Sequence, residues 1–342
     1  MKISAEKAEE LVTKLLTNMG LTQDDAEIVS EITINADIKG FGSHGIGRFP
    51  QYIIGIDSGN INLDTEIEIE KETISTALLN GHNAFGQLVA YNAMNLAINK
   101  AQETGIGIVG VHDSNHFGVT GYYADMAMEN DMIGIVIANT APAVAPLNGT
   151  KPILGTNPIA ITIPAHNDYI ATDMATSISS RGKLLEAKRK NEQIPEGVAL
   201  DKNGQPTTNP EEALEGSLLS FGAHKGFALA FMIEILTGPL VQAAFGSAVQ
   251  GTADPTKKCN KGDMFIAIDI SKFVDINQFK DDVDELVKEL RASGDNIIVP
   301  GDIERNNIQK YLKEGIEIDT TLYDTLKGIC ENHKINIDEY LI

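Results

Sequence analysis

The chain has 342 residues, with 27 Lys and Arg against 48 Asp and Glu, so its formal net charge is −21 at pH 7. That charge repels nucleic acid and anionic lipid surfaces, so we expect neither as a partner, and an anionic substrate needs a local positive pocket. No stretch reaches about 18 consecutive apolar residues, and the amino terminus lacks the basic cap and apolar run of a signal peptide. With only two cysteines, far apart, the sequence predicts a reduced, soluble, cytoplasmic protein.

Two antiparallel helices are predicted at the amino terminus. Ser4 and Thr22 are N-cap candidates that each precede apolar residues at helical spacing. The next segment, GFGSHGIGRFPQY, has too many glycines to continue a helix, so it is expected to form a loop. The polar side chains that this loop presents are Ser43, His44, Arg48 and Tyr52.

An α/β arrangement is predicted next. The alternating patterns within residues 61–80 indicate two strands, and a helix at 87–103 then precedes a buried strand at 106–111. A second helix near 122–130 leads into another strand at 133–137. Alternation of helices and strands is typical of an α/β lobe.

Polar residues follow both buried strands. His116 lies on the loop after the first strand, and Asn139 and Thr140 follow the second. If the strands are parallel neighbours, their ends meet and form the floor of an active site. A loop histidine there is a plausible acid or base near neutral pH.

The carboxyl-terminal half continues the pattern less regularly. We expect two short strands after residues 155–158, a surface excursion at 191–219 and an apolar helix at 222–238 buried in part at a subunit interface. A charged helix (LLEAKRK) is expected before that excursion. After the apolar helix we expect a strand at 262–270, a helix at 281–290, a strand and turn at 297–305 and a final helix at 322–332.

Two glycine patterns have the spelling G-x-G-x-x-G but not the context of a dinucleotide fingerprint. One is Gly40, Gly42 and Gly45, which follows a helix, and the other starts at Gly105, where a helix ends and a strand begins. The fingerprint requires a preceding strand and a following helix, whose amino terminus meets the pyrophosphate. A Rossmann fold is therefore not expected.

Several blocks together resemble the type 2 malate/L-lactate dehydrogenase family. They are SHGIGRFPQY at 43–52, NHFG at 115–118, GYY at 121–123, ANTAPAVAP at 138–146, GTNP at 155–158, DMATS at 173–177 and HKGFALA at 224–230. The likeness covers nearly the whole chain in matching order. Within the family it is greatest to archaeal malate and L-sulfolactate dehydrogenases.

This resemblance implies an α/β fold with a non-Rossmann, mixed-sheet NAD(P)-binding lobe and a helical lobe built from the amino- and carboxyl-terminal segments. We divide the chain into a helical segment with the substrate loop at 1–60, a cofactor-binding lobe at 61–300 and a returning segment at 301–342. A homodimer is expected. The reaction would move a hydride between nicotinamide, as NAD or NADP, and a small (S)-2-hydroxy acid such as malate or sulfolactate.

The family likeness also implies roles for individual residues. Protonated His116 would give its proton to the carbonyl oxygen of a 2-oxo acid, with His44 in the same pocket. Arg48 would hold the substrate carboxylate through its planar fork, with Ser43 and Tyr52 as hydroxyl donors. Cofactor contacts are assigned to Asn139, Thr140, Gly155, Thr156, Asn157, Asp173, Met174, Ala175, Thr176, Arg181, Lys225, Glu304 and Arg305. No metal is implied.

Three other interpretations stay open. Relatives in the same family oxidise ureidoglycolate or reduce cyclic imines. His112 and His116, four residues apart with Asp113 between them, resemble the H-E-x-x-H spelling of zinc hydrolases, although the strand-like residues before them disfavour the required helix. A binding protein without enzyme activity is the third.

Overall fold

The computed structural model describes residues 1–166, 168–252, 254 and 257–342. The helices are α1 Ala5–Met19, α2 Gln23–Ile38, α3 Phe49–Asp57, α4 Gly86–Thr104, α5 Thr120–Met128, α6 Arg181–Lys190, α7 Pro210–Glu215, α8 His224–Thr237, α9 Ile276–Ala292, α10 Asp302–Glu314 and α11 Thr320–Asn332. The strands are β1 Lys2–Ile3, β2 Glu68–Glu72, β3 Thr76–Asn80, β4 Ile106–His112, β5 Met132–Ala138, β6 Ile159–Pro164, β7 Tyr169–Met174, β8 Ala199–Leu200, β9 Pro206–Thr207, β10 Ser217–Leu218, β11 Asp263–Asp269 and β12 Ile316–Glu317.

A seven-stranded mixed sheet forms the centre of the α/β lobe, in the order β2-β3-β4-β11-β5-β6-β7. β3 and β4 are parallel, whereas β11 runs antiparallel to both β4 and β5. The predicted strands at 106–111 and 133–137 are therefore parallel to each other but not neighbours, because β11 lies between them. Their carboxyl ends still reach the same edge of the sheet, and the fold is not a Rossmann fold.

Helices α4 and α5 cover one face of this sheet, and α8 packs on the other. Two glycines allow α4 and α5 to approach the sheet closely. A Cβ on Gly107 would meet the backbone carbonyl of Ala97 in α4, and one on Gly134 would meet the carbonyl of Ala124 in α5. The strands face these helices with small or β-branched side chains such as Val109 and Val136, which fill the core without voids.

The helical lobe has one core that both ends of the chain share. Ser4 and Thr22 cap α1 and α2 through their side chains, as predicted. The core combines α1 and α2 with Phe49 and Tyr52 of α3 and with Leu326 and Tyr340 from the last segment. β1 pairs with β12, which joins the two termini directly. The predicted lobe of amino- and carboxyl-terminal segments is thus confirmed.

Two expectations for the carboxyl-terminal half differ from the structure. Residues 191–219 include α7 and a three-stranded sheet, β10-β8-β9, rather than a plain surface excursion. The strand predicted within 297–305 is absent from this described segment, because Gly301 adopts a left-handed φ of 99° and α10 begins at Asp302. The Asp302 side chain accepts from the Val299 amide, so the segment is a helix entry and not a strand.

The apolar helix α8 is only half covered. A window of 18 residues, His224–Val241, has a mean hydropathy of 1.2 and 39% of it is buried, so it meets a membrane-span criterion by length and composition alone. Glu234 lies within it, 4% exposed, and accepts from Asn157 Nδ2 at 2.7 Å and the Gly246 amide at 2.7 Å. A buried, hydrogen-bonded carboxylate is costly in lipid, so we interpret α8 as a helix that packs on the sheet.

Candidate active site

A cleft of about 1040 Å³ opens between the helical lobe and the edge of the sheet. Its walls come from the loop after α2, the loop after β4, the ends of β5 and β7, the start of α6 and the last segment of the chain. Small-molecule pockets are commonly about 300–1,000 Å³. The cleft therefore has room for a dinucleotide together with a small acid.

Two histidines and a tyrosine meet at the base of this cleft. The Tyr52 hydroxyl lies 2.8 Å from His116 Nδ1, which also accepts the Gly118 backbone N–H at 3.2 Å. The rings of His44 and His116 are stacked with centroids 5.4 Å apart. Ser43 Oγ is 2.9 Å from His44 Nδ1 and lines the cleft. The loop after α2 and the loop after β4, which were predicted to contribute to one pocket, lie side by side here.

Arg48 lies in a short 3-10 helix, Ile46–Arg48, that directly precedes α3. Its Nε is buried without a hydrogen-bond partner, and its guanidinium forms no ion pair with any residue that the structure describes. Its positive charge nevertheless lowers the pKa values of His44 and His116. Arg48 is not itself among the residues that line the cleft, although Gly47 and Pro50 beside it are. A mostly buried guanidinium without a counter-ion is unfavourable, so this position suits an anionic ligand next to the cleft.

Burial sets the protonation of both histidines. It lowers the pKa of His44 to about 4, with a further contribution from Arg48. Burial also lowers the pKa of His116 well below its usual value, and the charges of Arg48, His44 and Lys261 add to that effect. The free protein at neutral pH therefore favours neutral imidazoles at both positions, whereas the prediction of a protonated His116 concerned the complex with a 2-oxo acid.

Lys261 is a cleft residue that the sequence analysis missed. Its ammonium binds both carboxylate oxygens of Asp263, at 2.5 and 2.6 Å, and lies 4.2 Å from the centroid of the Phe117 ring. The register of β11 places Asp263 opposite both Val111 and Ala138, at the strand ends that support the site. The one available signal was a lysine two residues before a buried strand.

The predicted cofactor residues divide into a group in the cleft and a group behind it. Those that line the cleft are Thr140, Thr156, Asp173, Met174 and Ala175. Asp173 accepts the Gly121 amide at the start of α5 at 2.6 Å, and burial raises its pKa to about 6. An oxygen-rich wall beside a helix amino terminus offers hydroxyls and backbone amides to ribose and phosphate groups.

The residues of the second group form hydrogen bonds or close contacts within the protein. Asn139 Nδ2 bonds to the Ala244 carbonyl at 2.9 Å, and Asn157 Nδ2 bonds to Glu234. The Thr176 hydroxyl bonds to the carbonyl of Thr156 at 2.9 Å. Gly155 is next to Thr140, where a Cβ would collide with the threonine. These residues shape the wall from behind.

The remaining predicted cofactor residues lie away from the cleft lining. Arg181 and Lys225 are exposed. Glu304 borders a second, smaller cavity together with Lys39 and Asp173. Arg305 is engaged by Asp168, at 2.9 Å, and by Asp302, at 2.6 Å. The geometry therefore supports Thr140, Thr156 and Asp173 more strongly than these four.

The zinc-hydrolase interpretation loses its geometric support. His112 ends β4 and bonds to Glu70 and Asp113, each at 3.1 Å, whereas His116 bonds to Tyr52. The two imidazoles thus have separate partners. Within the described ranges, no group of three or more His, Cys, Asp or Glu side chains could hold a metal ion.

The comparisons with known proteins define a class: an α/β enzyme of the dehydrogenase type, which here has a mixed sheet in place of a Rossmann sheet. The chain matches the malate/L-lactate dehydrogenase family over residues 3–327, and it belongs to that family.

Individual relatives are similar over almost their full length. Malate/(S)-sulfolactate dehydrogenase of Methanothermus fervidus is 59% identical over 337 residues, covering 98% of this chain and 99% of the relative. The solved sulfolactate dehydrogenase of Methanocaldococcus jannaschii has a TM-score of 0.95 at 47% identity, with 99% of each chain covered. Ureidoglycolate dehydrogenase (NAD(+)) of Escherichia coli is more distant, at 34% identity over 333 residues and 95% of each chain.

Proposed function

We propose that this protein is an NAD(P)-dependent dehydrogenase of small (S)-2-hydroxy acids, with malate and (S)-sulfolactate as its leading substrates. The observation that carries the proposal is the unpaired guanidinium of Arg48 beside the stacked His44 and His116. A 2-hydroxy acid requires of its site a positive group that binds the substrate carboxylate and a group that accepts or donates the hydroxyl proton. The 59% identical relative named malate/(S)-sulfolactate dehydrogenase supports the same substrate class.

In this proposal Arg48 holds the substrate carboxylate through two charge-assisted hydrogen bonds. Ser43 donates its hydroxyl from the cleft wall, and His44 stacks on His116 and limits its movement. A bound nicotinamide supplies or takes the hydride. His116 gives a proton to the carbonyl oxygen of the 2-oxo acid, and in the other direction accepts the hydroxyl proton.

For the cofactor, we propose that the wall formed by Thr140, Thr156 and residues 173–175 holds a dinucleotide. Its hydroxyls and backbone groups line the cleft, and the amino terminus of α5 lies next to Asp173. NAD and NADP both remain in the proposal, since they differ by one phosphate on the adenine ribose. A relative's name, ureidoglycolate dehydrogenase (NAD(+)), supports a nicotinamide cofactor.

We also propose a soluble, cytoplasmic homodimer joined through the exposed face of α8. Large apolar side chains cluster on this helix and the segment after it: Phe231, Met232, Ile235, Leu236, Leu240 and Phe245. Leu240 is 60% exposed and Phe245 58%. An apolar patch of this size on a soluble protein favours burial against another copy of the chain.

The test is oxidation of NADH and NADPH by purified protein with oxaloacetate, sulfopyruvate, pyruvate and a cyclic imino acid, and reduction of NAD by ureidoglycolate. The proposal expects the largest kcat/KM with oxaloacetate or sulfopyruvate. Preference for the cyclic imine or ureidoglycolate would retain the family but replace the substrate class. No turnover with any substrate would refute the proposed function.

A further inference from the structure

The proton on His116 can be assigned from the neighbours of its ring. The Gly118 amide donates to Nδ1 at 3.2 Å, and because an N–H cannot accept, Nδ1 must carry the lone pair. The Tyr52 hydroxyl, 2.8 Å from the same nitrogen, then also acts as a donor. Neutral His116 therefore has its proton on Nε2, which has no hydrogen-bond partner among the described residues and belongs to a side chain that lines the cleft.

Tyr52 is placed behind His116 rather than beside the substrate. It is 1% exposed, belongs to the core of the helical lobe and is not part of the cleft lining. The sequence-based role of Tyr52 as a hydroxyl donor to the substrate therefore has no support in this geometry. Its hydroxyl contacts His116, which does line the cleft.

Burial disfavours a negative charge on the Tyr52 oxygen, but two neighbouring groups offset part of that cost. Gln87 is fully buried, and neither of its amide atoms makes a hydrogen bond, although the amide is near enough to lower the pKa of Tyr52. Arg48 lowers that pKa as well, whereas burial raises it to about 12.

The amino terminus of α4 adds to this environment. Gly86, the first residue of α4, lies so close to the backbone carbonyls of Asn115 and His116 that a Cβ there would collide with both. The positive end of the helix dipole thus lies against the backbone of Asn115 and His116, and it favours negative charge near the first turn.

We propose that Tyr52 and His116 form a concerted proton relay, in which His116 gives its Nε2 proton to the substrate and Tyr52 replaces it with a proton on Nδ1. As the carbonyl oxygen becomes an alkoxide, the Nε2–H bond of His116 breaks and a new O–H bond forms on the substrate. The O–H bond of Tyr52 breaks at the same time, and its proton moves to Nδ1. His116 begins and ends neutral, and the phenolate is stabilised by Arg48 and Gln87. The relay rests on the proposed function.

The relay explains how a neutral histidine can act as an acid. A neutral imidazole that gave up its only proton would become an imidazolate, a very strong base, unless Nδ1 gained a proton in the same event. An alkoxide is a stronger base than a phenolate, so net transfer from Tyr52 to the substrate is favourable. After product release, Nε2 takes up a proton from solvent and Nδ1 returns its proton to Tyr52, so each turnover consumes one solvent proton.

The first experiment compares Tyr52→Phe with Tyr340→Phe in the full enzyme. Tyr340 is a matched control because it also belongs to the buried core of the helical lobe and it does not line the cleft. With oxaloacetate and reduced cofactor at pH 8, Tyr52→Phe is expected to lose about 10²-fold in kcat, with KM changed by less than about threefold. Tyr340→Phe is expected to keep both constants.

Two further readouts separate the relay from a structural role. The charged or titratable groups facing His116 are Arg48, His44, Lys261 and Tyr52 itself. Without Tyr52 only the imidazolium can act as the acid, so Tyr52→Phe should regain activity as the pH falls towards 5, whereas the wild type should not. A proton inventory in mixed H2O and D2O should be curved for the wild type, where two protons move, and linear for the variant.

The second experiment needs neither turnover nor a variant. In ¹⁵N-histidine-labelled free protein, the relay requires His116 to show a protonated Nε2 and an unprotonated Nδ1 between pH 6 and 9. A protonated Nδ1, or a Tyr52→Phe enzyme with wild-type kcat and pH profile, would overturn the relay. A raised KM with unchanged kcat would also overturn it and return Tyr52 to substrate binding. Failure of the wild type to reduce any 2-oxo acid would refute the proposed function. The ¹⁵N measurement would still show which nitrogen of His116 carries the proton, so the two failures can be distinguished.

Discussion

The Tyr52 hydroxyl and His116 Nδ1 lie 2.8 Å apart although they come from different parts of the fold. Tyr52 is held in the core of the helical lobe, and His116 follows a central strand of the sheet. Their contact places the acid–base group at the junction of the two lobes. A substrate bound by Arg48 and a cofactor bound at the strand ends would meet there.

Replacement of His116 by glutamine is expected to lower kcat by about 10²-fold or more, because the group that transfers the proton is lost. His166→Gln is a suitable control, since the His166 ring bonds to Asp281 at 2.9 Å, away from the cleft. Steady-state kinetics of both variants with oxaloacetate would check this. Wild-type turnover in His116→Gln would assign the acid to another group, with His44 as the nearest alternative.

Arg48→Ala is expected to act mainly on substrate retention. Hydrogen bonds to a charged group contribute about 1.5–3 kcal/mol, so the loss of the guanidinium should raise KM for oxaloacetate by roughly 10- to 100-fold. Arg291→Ala removes an exposed guanidinium that pairs with Asp302 at 2.8 Å and should leave KM unchanged. An unaltered KM in Arg48→Ala would show that the substrate carboxylate binds elsewhere.

The helices and strands with regular patterns were predictable from the sequence, and so was the substrate loop. The capped helices α1 and α2 and the strands β4 and β5 agree with their apolar periodicity. The pairing of strands was not predictable, because β11 is distant in sequence and inserts between β4 and β5. Such non-local pairing leaves no signal in a local pattern.

The site was predictable only where a motif marks it. Ser43, His44, Arg48 and His116 lie in recognisable blocks and come together as expected. Lys261 was missed because its position in the cleft depends on the order of the strands. β11 lies between β4 and β5, and this places the residue just before β11 beside the ends of those two strands. Asn139 and Asn157 had the residue types of ligand contacts, but the buried Glu234 of α8 determines where their amides point.

Replacing Met232 with aspartate is expected to convert the proposed homodimer into a monomer, because a charge would be buried at an apolar interface. Met232 is 51% exposed in the apolar patch of α8. Phe273→Asp is the control, since Phe273 is even more exposed, at 77%, but lies outside that patch. Light scattering coupled to size-exclusion chromatography would measure both. A dimeric Met232→Asp protein would place the interface on a different surface.

Gly107→Ala is expected to destabilise the fold by about 1–3 kcal/mol, because the new Cβ would force α4 away from β4 at the Ala97 carbonyl. Gly328→Ala provides the opposite case. Gly328 lies inside α11, and nothing is within 4 Å of the position that a Cβ would occupy there, so alanine should stabilise the protein by about 0.5–1 kcal/mol. Urea unfolding of both variants would reveal whether the effects have opposite signs.

Asp37 should make the free energy of unfolding fall as the pH rises, whereas an ion-paired carboxylate makes it rise. Asp37 lies under the substrate loop, where its Oδ2 accepts the Ile46 amide at 2.6 Å, and burial raises its pKa from 3.8 to about 7. The folded state therefore binds a proton that the unfolded chain has already lost between pH 4 and 7. Its stabilising contribution is present below the unfolded pKa and is lost as the pH rises through the folded one.

The matched variant is Asp37→Asn, which keeps an oxygen acceptor for Ile46 but cannot titrate. The free energy of unfolding of the wild type should fall relative to that of the variant by roughly 3 kcal/mol between pH 5 and 8. Taking the difference between the two proteins removes the contributions of other carboxyl groups, including Asp173, whose pKa burial raises to about 6. A difference that stays constant across this range would mean that the Asp37 carboxyl is ionised throughout, and that the loop amide alone is enough to hold its charge.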